Sequence, residues 1–314
     1  MRNAKARHPT GLLVIDKPSG LTSHDVVERV RQILGSRAGH TGTLDPQATG
    51  VLLVCLGSAT RLARFLQRHD KVYEGIVKLG WATDTYDGEG EPLEGPVAPP
   101  PLTREEVQGA LDLFVGLVEQ TPPAYSAKKV RGQPAYRRVR RGEDVQLEPV
   151  TVVIRSAELM DLTADTIQIR IHCGAGTYVR TLARDLGEAL GCPAHLAGLR
   201  RTSSGSFSLQ QAVTWEEIKG ITAEALKEQI LPVANMVPDW PAAVVSEKGA
   251  DAIRNGHILE AGWIVERRPG VSTDARGGLQ DSDGWVRVVN SNGAMIAAGE
   301  MILGGLIQPR IVLQ

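Results

Sequence analysis

The stretch Gly39-His40-Thr41-Gly42-Thr43-Leu44-Asp45-Pro46-Gln47-Ala48-Thr49-Gly50 is the most informative in the chain. It places one carboxylate, Asp45, in a loop too rich in glycine and polar residues to be core, and the apolar run at 51–56 that follows is typical of a buried strand. Pro46 biases Asp45 toward extended backbone, and the glycines allow close approach to a ligand. On these residues alone, a local turn is the stronger interpretation, and a site for covalent or acid–base chemistry is the alternative.

Composition and charge are those of an ordinary globular protein. The 314 residues are 42% apolar and 23% charged, with a formal net charge of −1, and suffice for two domains. No apolar run approaches the roughly 18 residues of a membrane span, and the basic tail at 1–10 lacks the apolar core of a signal peptide. Three dispersed cysteines favour a reducing compartment over a disulfide framework or a zinc site. We therefore expect a cytoplasmic protein with no metal, no cofactor and no membrane partner.

A one-sided basic segment interrupts this balance. Seven cations and no acid lie within residues 128–141, and Tyr125 and Tyr136 lie just before and within the segment. Such a segment can neutralise phosphates while its aromatic rings stack on bases, so a nucleic-acid contact is favoured over a solvated surface. Arg61, Arg64 and Arg68 would line one face of a helix, for which a solvated face is slightly favoured. The cations of the basic segment are Lys128, Lys129, Arg131, Arg137, Arg138, Arg140 and Arg141.

The order of predicted elements indicates an α+β fold. An apolar run at 11–15 predicts a buried strand, a helix with Ser23 as its N-cap follows, and residues 71–80 predict a strand that carries Tyr73. Thr103 and Glu106 fit a capping box, and the alternation at 167–172 predicts a half-buried strand. Strands and helices follow no regular βαβ rhythm, which favours a mixed or antiparallel sheet. Prolines near 230–240 mark a boundary between a large domain at 11–235 and a small β-rich one at 237–314.

Three further polar clusters stand out. Residues 83–88 hold two acids and two hydroxyls, and are more typical of a turn than of a site. Arg180 lies near a predicted helix start, where the dipole disfavours a cation, so a carboxylate partner is expected. The basic pair Arg200 and Arg201 fits either an exposed turn or a phosphate contact.

In combination, these motifs resemble the TruB family of tRNA pseudouridine synthases. The stretches that carry the resemblance occur in the family's order and cover nearly all of residues 10–235. They are Leu13–Ser23, the Gly39–Gly50 loop, Lys71–Tyr73, Thr83–Gly88, Gly176–Arg180 and Leu199–Arg201. The loop motif with its aspartate is highly specific. Residues 237–314 resemble a PUA-type RNA-binding domain more weakly, and the polar stretch 266–284 is longer than such domains usually need.

The resemblance implies a role for each matching residue. Asp45 would be the nucleophile, Arg180 its ion-pair partner that keeps it ionised, and Asp87 the acid that holds Arg180. Tyr73 would stack on the extruded uracil, and His40 would enter the space that the flipped base leaves. Tyr178 and Leu199 fall in the same motifs and are expected to contact RNA. Whether Asp45 attacks the base or the sugar stays open.

The resemblance also implies the substrate and the partners. The family acts on the uridine at position 55 of the tRNA T-loop, recognised mainly by loop shape. Stand-alone members carry an RNA-gripping insertion at the place of residues 121–148, so we expect a monomer that binds the tRNA elbow without an obligatory protein partner. The alternatives are a guide-RNA-dependent enzyme of the Cbf5/dyskerin type and a non-catalytic tRNA-folding chaperone.

Overall fold

A computed structural model describes residues 8–126, 128–130, 132–271 and 284–313. Arg131, the side chain of Lys129, most of the basic tail at 1–10 and most of the polar stretch at 266–284 lie outside the described residues.

Strands and short helices are interspersed along the described residues. The strands are β1 (Gly11–Lys17), β2 (Ala38–His40), β3 (Thr49–Leu56), β4 (Lys71–Leu79), β5 (Gly116–Gln120), β6 (Lys129–Val130), β7 (Gln133–Pro134), β8 (Val150–Leu162), β9 (Thr166–Cys173), β10 (Ala194–Ser204), β11 (Phe207–Ser208), β12 (Val213–Thr214), β13 (Ala242–Val245), β14 (Ile264–Arg268), β15 (Trp285–Val289), β16 (Met295–Met301) and β17 (Ile307–Val312). The α-helices are α1 (Ser23–Leu34), α2 (Ala63–Leu66), α3 (Arg104–Asp112), α4 (Ala135–Val139), α5 (Val179–Ala189), α6 (Trp215–Gly220), α7 (Ala223–Glu228) and α8 (Glu247–Arg254).

A ten-stranded mixed sheet forms the body of the molecule. Its strand order is β12-β1-β3-β10-β4-β9-β8-β5, with β2 paired to β3 and β11 to β10. The β1–β12 and β3–β10 pairs are parallel, and the other pairs are antiparallel. The predicted α+β class with a central mixed sheet is therefore confirmed.

The first strand shows why the sheet is covered on both faces. Successive side chains of a strand point to opposite faces, so an apolar run needs a partner on each side. Leu13 and Ile15 of β1 pack in a cluster with α1, whereas Leu12 and Val14 pack with residues of the C-terminal part of the chain. The large sheet thus lies between these two layers at β1.

The start of α1 differs from the sequence prediction and bears on the site. Thr22, not Ser23, is the N-cap, and it forms a capping box with Asp25 because its hydroxyl accepts from the Asp25 amide. The Ser23 hydroxyl instead accepts from the Leu44 amide at 2.9 Å and donates to the Leu44 carbonyl at 3.1 Å. The capping residue therefore lies one position earlier, and Ser23 joins α1 to the Asp45 loop.

A five-stranded sheet forms the C-terminal part, in the order β14-β13-β15-β16-β17. It meets the large sheet at an aromatic cluster, in which the Phe65 ring lies 4.7 Å from Trp240 and 4.8 Å from Trp285. Arg64 lies over the Phe65 and Trp285 rings, and Arg61 donates to a backbone carbonyl of β17. Arg61, Arg64 and Arg68 nevertheless stay exposed, as the favoured interpretation of a solvated face expects, and the first two also contact the C-terminal part. The boundary at 235–237 stays a prediction.

Candidate active site

The Asp45 loop is held from below by a buried lysine. The Lys17 ammonium donates to the carbonyls of Pro18 at 2.9 Å, Leu21 at 2.6 Å and Pro46 at 3.0 Å, and its side chain is 0% exposed. Burial lowers the pKa of Lys17 to about 8, although Asp45 acts in the opposite direction. Because Pro46 directly follows Asp45, the bond from Lys17 to the Pro46 carbonyl fixes the backbone position next to the carboxylate.

Arg180 joins the two acids that the sequence places in separate motifs. It lies in the first turn of α5, and its Nε is 3.1 Å from an Asp45 carboxylate oxygen while its Nη1 is 3.2 Å from an Asp87 carboxylate oxygen. The Arg180 side chain is 8% exposed, the Asp87 side chain 18% and the Asp45 side chain 41%. The predicted carboxylate partner near the helix start is confirmed, and Asp45 is the more accessible of the two acids.

The electrostatics of Asp45 depart from the expectation. Burial in the cleft raises the pKa of Asp45 above its ordinary value, Arg180 lowers it, and the negative charge of Asp87 raises it again. The sequence predicted that Arg180 keeps this carboxyl ionised. The guanidinium does act in that direction, but desolvation and the second acid outweigh it, so the pKa of Asp45 lies above its ordinary value.

The turn at 83–90 presents Asp87 to Arg180. The Thr85 hydroxyl donates to an Asp87 carboxylate oxygen at 2.5 Å, and the Glu89 amide donates to the same oxygen at 3.1 Å. Tyr86 has a φ of 63°, in the left-handed region that side chains other than glycine rarely adopt. The turn therefore combines an unusual backbone conformation at Tyr86 with two hydrogen bonds that orient the Asp87 carboxylate.

Tyr73 and His40 lie on separate strands of the large sheet, with β3 and β10 between them. Tyr73, on β4, packs against the apolar clusters on both sides of it, and burial raises the pKa of its phenol. His40, on β2, is half-buried, and burial lowers its pKa, so the imidazole is neutral near pH 7. Its Nδ1 is buried and has no hydrogen-bond partner among the described residues.

The chain just before the basic segment is attached to α5, the helix that carries Arg180. The carbonyl of Tyr125 accepts from Arg180 Nη2 at 3.0 Å, and the Thr121 carbonyl accepts from the Thr181 hydroxyl at 3.3 Å. Of the predicted RNA contacts, Lys128 donates to a backbone carbonyl, Arg138 pairs with Glu143, and Arg141 reaches the Gln133 side chain. Arg137 and Arg140 are exposed. The segment as a tRNA contact stays a prediction.

The two arginines after Leu199 both have partners inside the protein, but only Arg201 is buried. Arg200 forms a two-pronged ion pair with Asp16, at 3.1 and 2.7 Å. The side chain of Arg201 is 3% exposed and donates to backbone carbonyls of the sheet and the Asp45 loop. The burial of Arg201 rules out an exposed turn for that residue, and a contact of either arginine with RNA stays a prediction. Leu199 is half-buried and packs against the clusters beside Tyr73.

One residue that positions the site carried no signal in the sequence. Gln120 is 1% exposed, and its side chain bonds both backbone groups of Tyr178, accepting from the amide at 3.1 Å and donating to the carbonyl at 3.4 Å. Tyr178 is the N-cap of α5 and has no side-chain cap of its own. Gln120 therefore holds the N-terminus of the helix that carries Arg180. A polar residue at a strand end gives no sequence signal for this role.

The described part of the chain offers neither a metal cluster nor a membrane-spanning helix. No three acids, histidines or cysteines there lie close enough together to hold a metal ion. No helix there is both long and apolar enough to span a membrane.

Sequence comparison assigns the chain to a protein family. Residues 31–179 match the model of the TruB family pseudouridylate synthase N-terminal domain, and residues 180–238 match that of the tRNA pseudouridylate synthase B C-terminal domain. The chain is 44% identical over 305 residues to a tRNA pseudouridine synthase B of Solibacter usitatus, covering 96% of this chain and 99% of the relative. It is 42% identical over 270 residues to the same-named protein of Geobacillus kaustophilus, covering 83% and 95%.

Structural comparison agrees about the fold. A chain in the crystal structure of a Cbf5-Nop10-Gar1 complex superposes with a TM-score of 0.70 at 24% identity, covering 99% of this chain and 91% of that one. The fold and the site, with these similarities, define a tRNA pseudouridine synthase, which is an isomerase. The chain belongs to the TruB family of pseudouridylate synthases.

Proposed function

We propose that this enzyme converts the uridine at position 55 of the tRNA T-loop to pseudouridine without a guide RNA, with Asp45 as the nucleophile. The observation that carries the proposal is the shared guanidinium of Arg180, which holds Asp45 at 3.1 Å and Asp87 at 3.2 Å. A carboxylate held in place and still 41% exposed is oriented and reachable, which is what nucleophilic catalysis requires.

The reaction breaks the bond between N1 of uracil and the sugar carbon C1′, and forms a bond between C5 of uracil and C1′. Asp45 attacks the target nucleoside and forms a transient bond to it, which breaks again before product leaves, so the carboxylate is regenerated. The hydrogen on C5 leaves to solvent as a proton after the new bond forms, and N1 takes up a proton in its place. Tyr73 stacks on the extruded uracil, and the neutral His40 fills the gap in the loop. The cations at 128–141 contact tRNA phosphates, which position the substrate.

The relatives named tRNA pseudouridine synthase B support a tRNA substrate for this chain. We expect a cytoplasmic monomer that needs no protein partner, because the basic segment supplies its own grip on RNA. Tyr178, in the helix entry beside Arg180, is expected to touch the substrate.

The test uses purified enzyme and an unmodified elongator tRNA transcript that carries 5-tritiated uridine, with no guide RNA present. We expect release of one tritium per tRNA, and no release from a transcript with cytidine at position 55. Asp45→Asn should abolish release while tRNA binding stays within a few fold. No release by the wild type would overturn the guide-independent activity, release from the cytidine transcript would overturn the position, and an active Asp45→Asn would overturn the nucleophile.

A further inference from the structure

Arg201 lies between the strand that follows the Asp45 loop and the strand that carries Tyr73. On one side β10 runs parallel to β3, with Arg201 opposite Gly50, and on the other it runs antiparallel to β4, with Arg201 opposite Tyr73. The first approach is close, since a Cβ built on Gly50 would lie 2.1 Å from the Arg201 carbonyl oxygen. The backbone of Arg201 is thus in register with both elements of the site.

The side chain of Arg201 joins the two ends of the nucleophile loop. Its Nε donates to the carbonyl of Val51 at 2.7 Å, and its Nη2 donates to the carbonyl of Gly42 at 3.2 Å. These carbonyls lie on either side of Asp45 in the chain. A planar guanidinium can hold two acceptors in fixed directions, which a single ammonium cannot do.

The same side chain reaches Tyr73. Residues directly opposite in an antiparallel pair present their side chains on the same face, with Cβ atoms about 5 Å apart. The guanidinium acts on the phenol as a neighbouring cation and hydrogen-bond donor, and so lowers the pKa that burial raises. Arg201 therefore holds the loop that carries the nucleophile, and lies in register beside the residue whose ring is expected to stack on uracil.

We propose that Arg201 is a positioning residue, which holds the Asp45 loop and Tyr73 in their mutual geometry, and is not a contact to tRNA phosphate. The inference rests on the proposed roles of Asp45 and Tyr73. A positioning residue acts on the rate of the bound complex, because misplacing reacting groups by about 1 Å costs on the order of 100-fold in rate. A phosphate contact acts on affinity and on its salt dependence.

The experiment compares Arg201→Lys and Arg201→Gln with the wild type. Two quantities are measured, the single-turnover rate at saturating tRNA and the Kd for tRNA as a function of salt. We expect Arg201→Lys to lose at least about tenfold in rate, with Kd within about threefold and an unchanged salt slope. A lysine would preserve much of a phosphate contact, so an unchanged rate in Arg201→Lys would overturn the proposal. A weaker Kd with a salt slope shallower by about 0.7 to 0.9 in either variant would also overturn it.

Arg287→Lys is the matched control for the loss of a two-carbonyl bridge. Arg287 donates to the carbonyls of Trp240 at 2.9 Å and Ala234 at 3.2 Å, away from the Asp45 loop. We expect it to lower the melting temperature while the single-turnover rate stays at the wild-type value. An equal loss of rate in Arg287→Lys would show that the Arg201 effect comes from general destabilisation, and would overturn the proposal.

A measurement on the wild type does not depend on the folding of any variant. Phenylglyoxal modification, read by mass spectrometry, should spare the buried Arg201 with or without tRNA, whereas Arg200, whose side chain is 39% exposed, should react. Modification of Arg201 that tRNA suppresses would show a substrate contact and overturn the proposal. An active Asp45→Asn would overturn the proposed function, whereas an active Arg201→Lys beside an inactive Asp45→Asn would overturn this inference alone.

Discussion

Asp87→Asn should lower the stability of the protein and yet extend its activity to lower pH. Asp87 accepts from Arg180 at 3.2 Å, and the Arg180 side chain is 8% exposed. Asparagine keeps the shape and one acceptor oxygen but removes the negative charge. Arg180 then has Asp45 as its one carboxylate partner within the described residues.

The cost to stability can be bounded from the geometry. Two unit charges 3.2 Å apart interact by roughly 5 kcal/mol at an effective dielectric constant of 20. Removing one member of a buried pair costs about 3–5 kcal/mol. Asp87 is 18% exposed, asparagine still accepts a hydrogen bond, and Asp45 still neutralises Arg180, so we expect a loss of about 2 kcal/mol in the free energy of unfolding.

In Asp87→Asn, the single-turnover rate should persist to lower pH than in the wild type. The negative charge of Asp87 is one of the causes that raise the pKa of Asp45. Its removal lowers that pKa, so Asp45 stays ionised to lower pH. Because the nucleophile must be ionised, the acidic limb of the single-turnover rate should move to lower pH in Asp87→Asn, even though the protein is less stable.

The assay is tritium release under single-turnover conditions between about pH 4 and 8, paired with urea unfolding. Glu89→Gln is the matched control, because Glu89 also raises the pKa of Asp45 and its side chain accepts from Gln47 rather than from Arg180. The control should shift the acidic limb in the same direction without the loss of stability. An acidic limb that stays in place or moves to higher pH in Asp87→Asn would refute the reasoning.

Three further predictions concern the frame of the site. Gly50→Ala should cost at least about 2 kcal/mol in unfolding free energy and abolish activity, because φ is 102° there and the new Cβ would meet Arg201 at 2.1 Å; a stable, active variant in urea unfolding and tritium release would contradict this. Lys17→Met should remove a dependence of the unfolding free energy on pH. The pKa of Lys17 is about 8 in the folded protein and ordinarily 10.5, so between these values the unfolded chain binds more protons than the folded one. Wild-type stability should then gain a rising component from about pH 8 to 10.5 that the variant lacks, and identical profiles in urea would count against it. Trp285→Ala should cost about 3–5 kcal/mol and lower the melting temperature of the whole chain in one transition, whereas two separated transitions in calorimetry would show that Phe65 does not couple the sheets.

Local patterns predicted local structure well. The capping box of Thr103 and Glu106 is present, and Ile167, Ile169 and Ile171 are buried on one face of β9. Both depend on residues a few positions apart, so the sequence holds all the information needed. The cap of α1 was placed one residue late, because Thr22 and Ser23 are both good caps and a distant backbone, that of Leu44, binds the serine.

The site could be assembled from the sequence only through the family resemblance. Asp45, Asp87 and Arg180 lie far apart in the chain, and no periodicity links them; the structure brings them within ion-pair distance. Arg201 shows the opposite failure. A basic pair is typical of a surface, and the burial of Arg201 depends on an acceptor 150 residues earlier, the Val51 carbonyl, which local sequence does not reveal.

The aromatic cluster between the two sheets makes the C-terminal part something other than a detachable module. Trp240 and Trp285 stack on each other and Phe65 meets both edge-on, and the apolar cluster around them continues through β1 and β3 of the large sheet. Removing the C-terminal sheet would leave that face of β1 and β3 bare to water. The two parts are therefore expected to be inherited together, and a lineage that lost the second sheet would need new polar side chains on the outer face of the first.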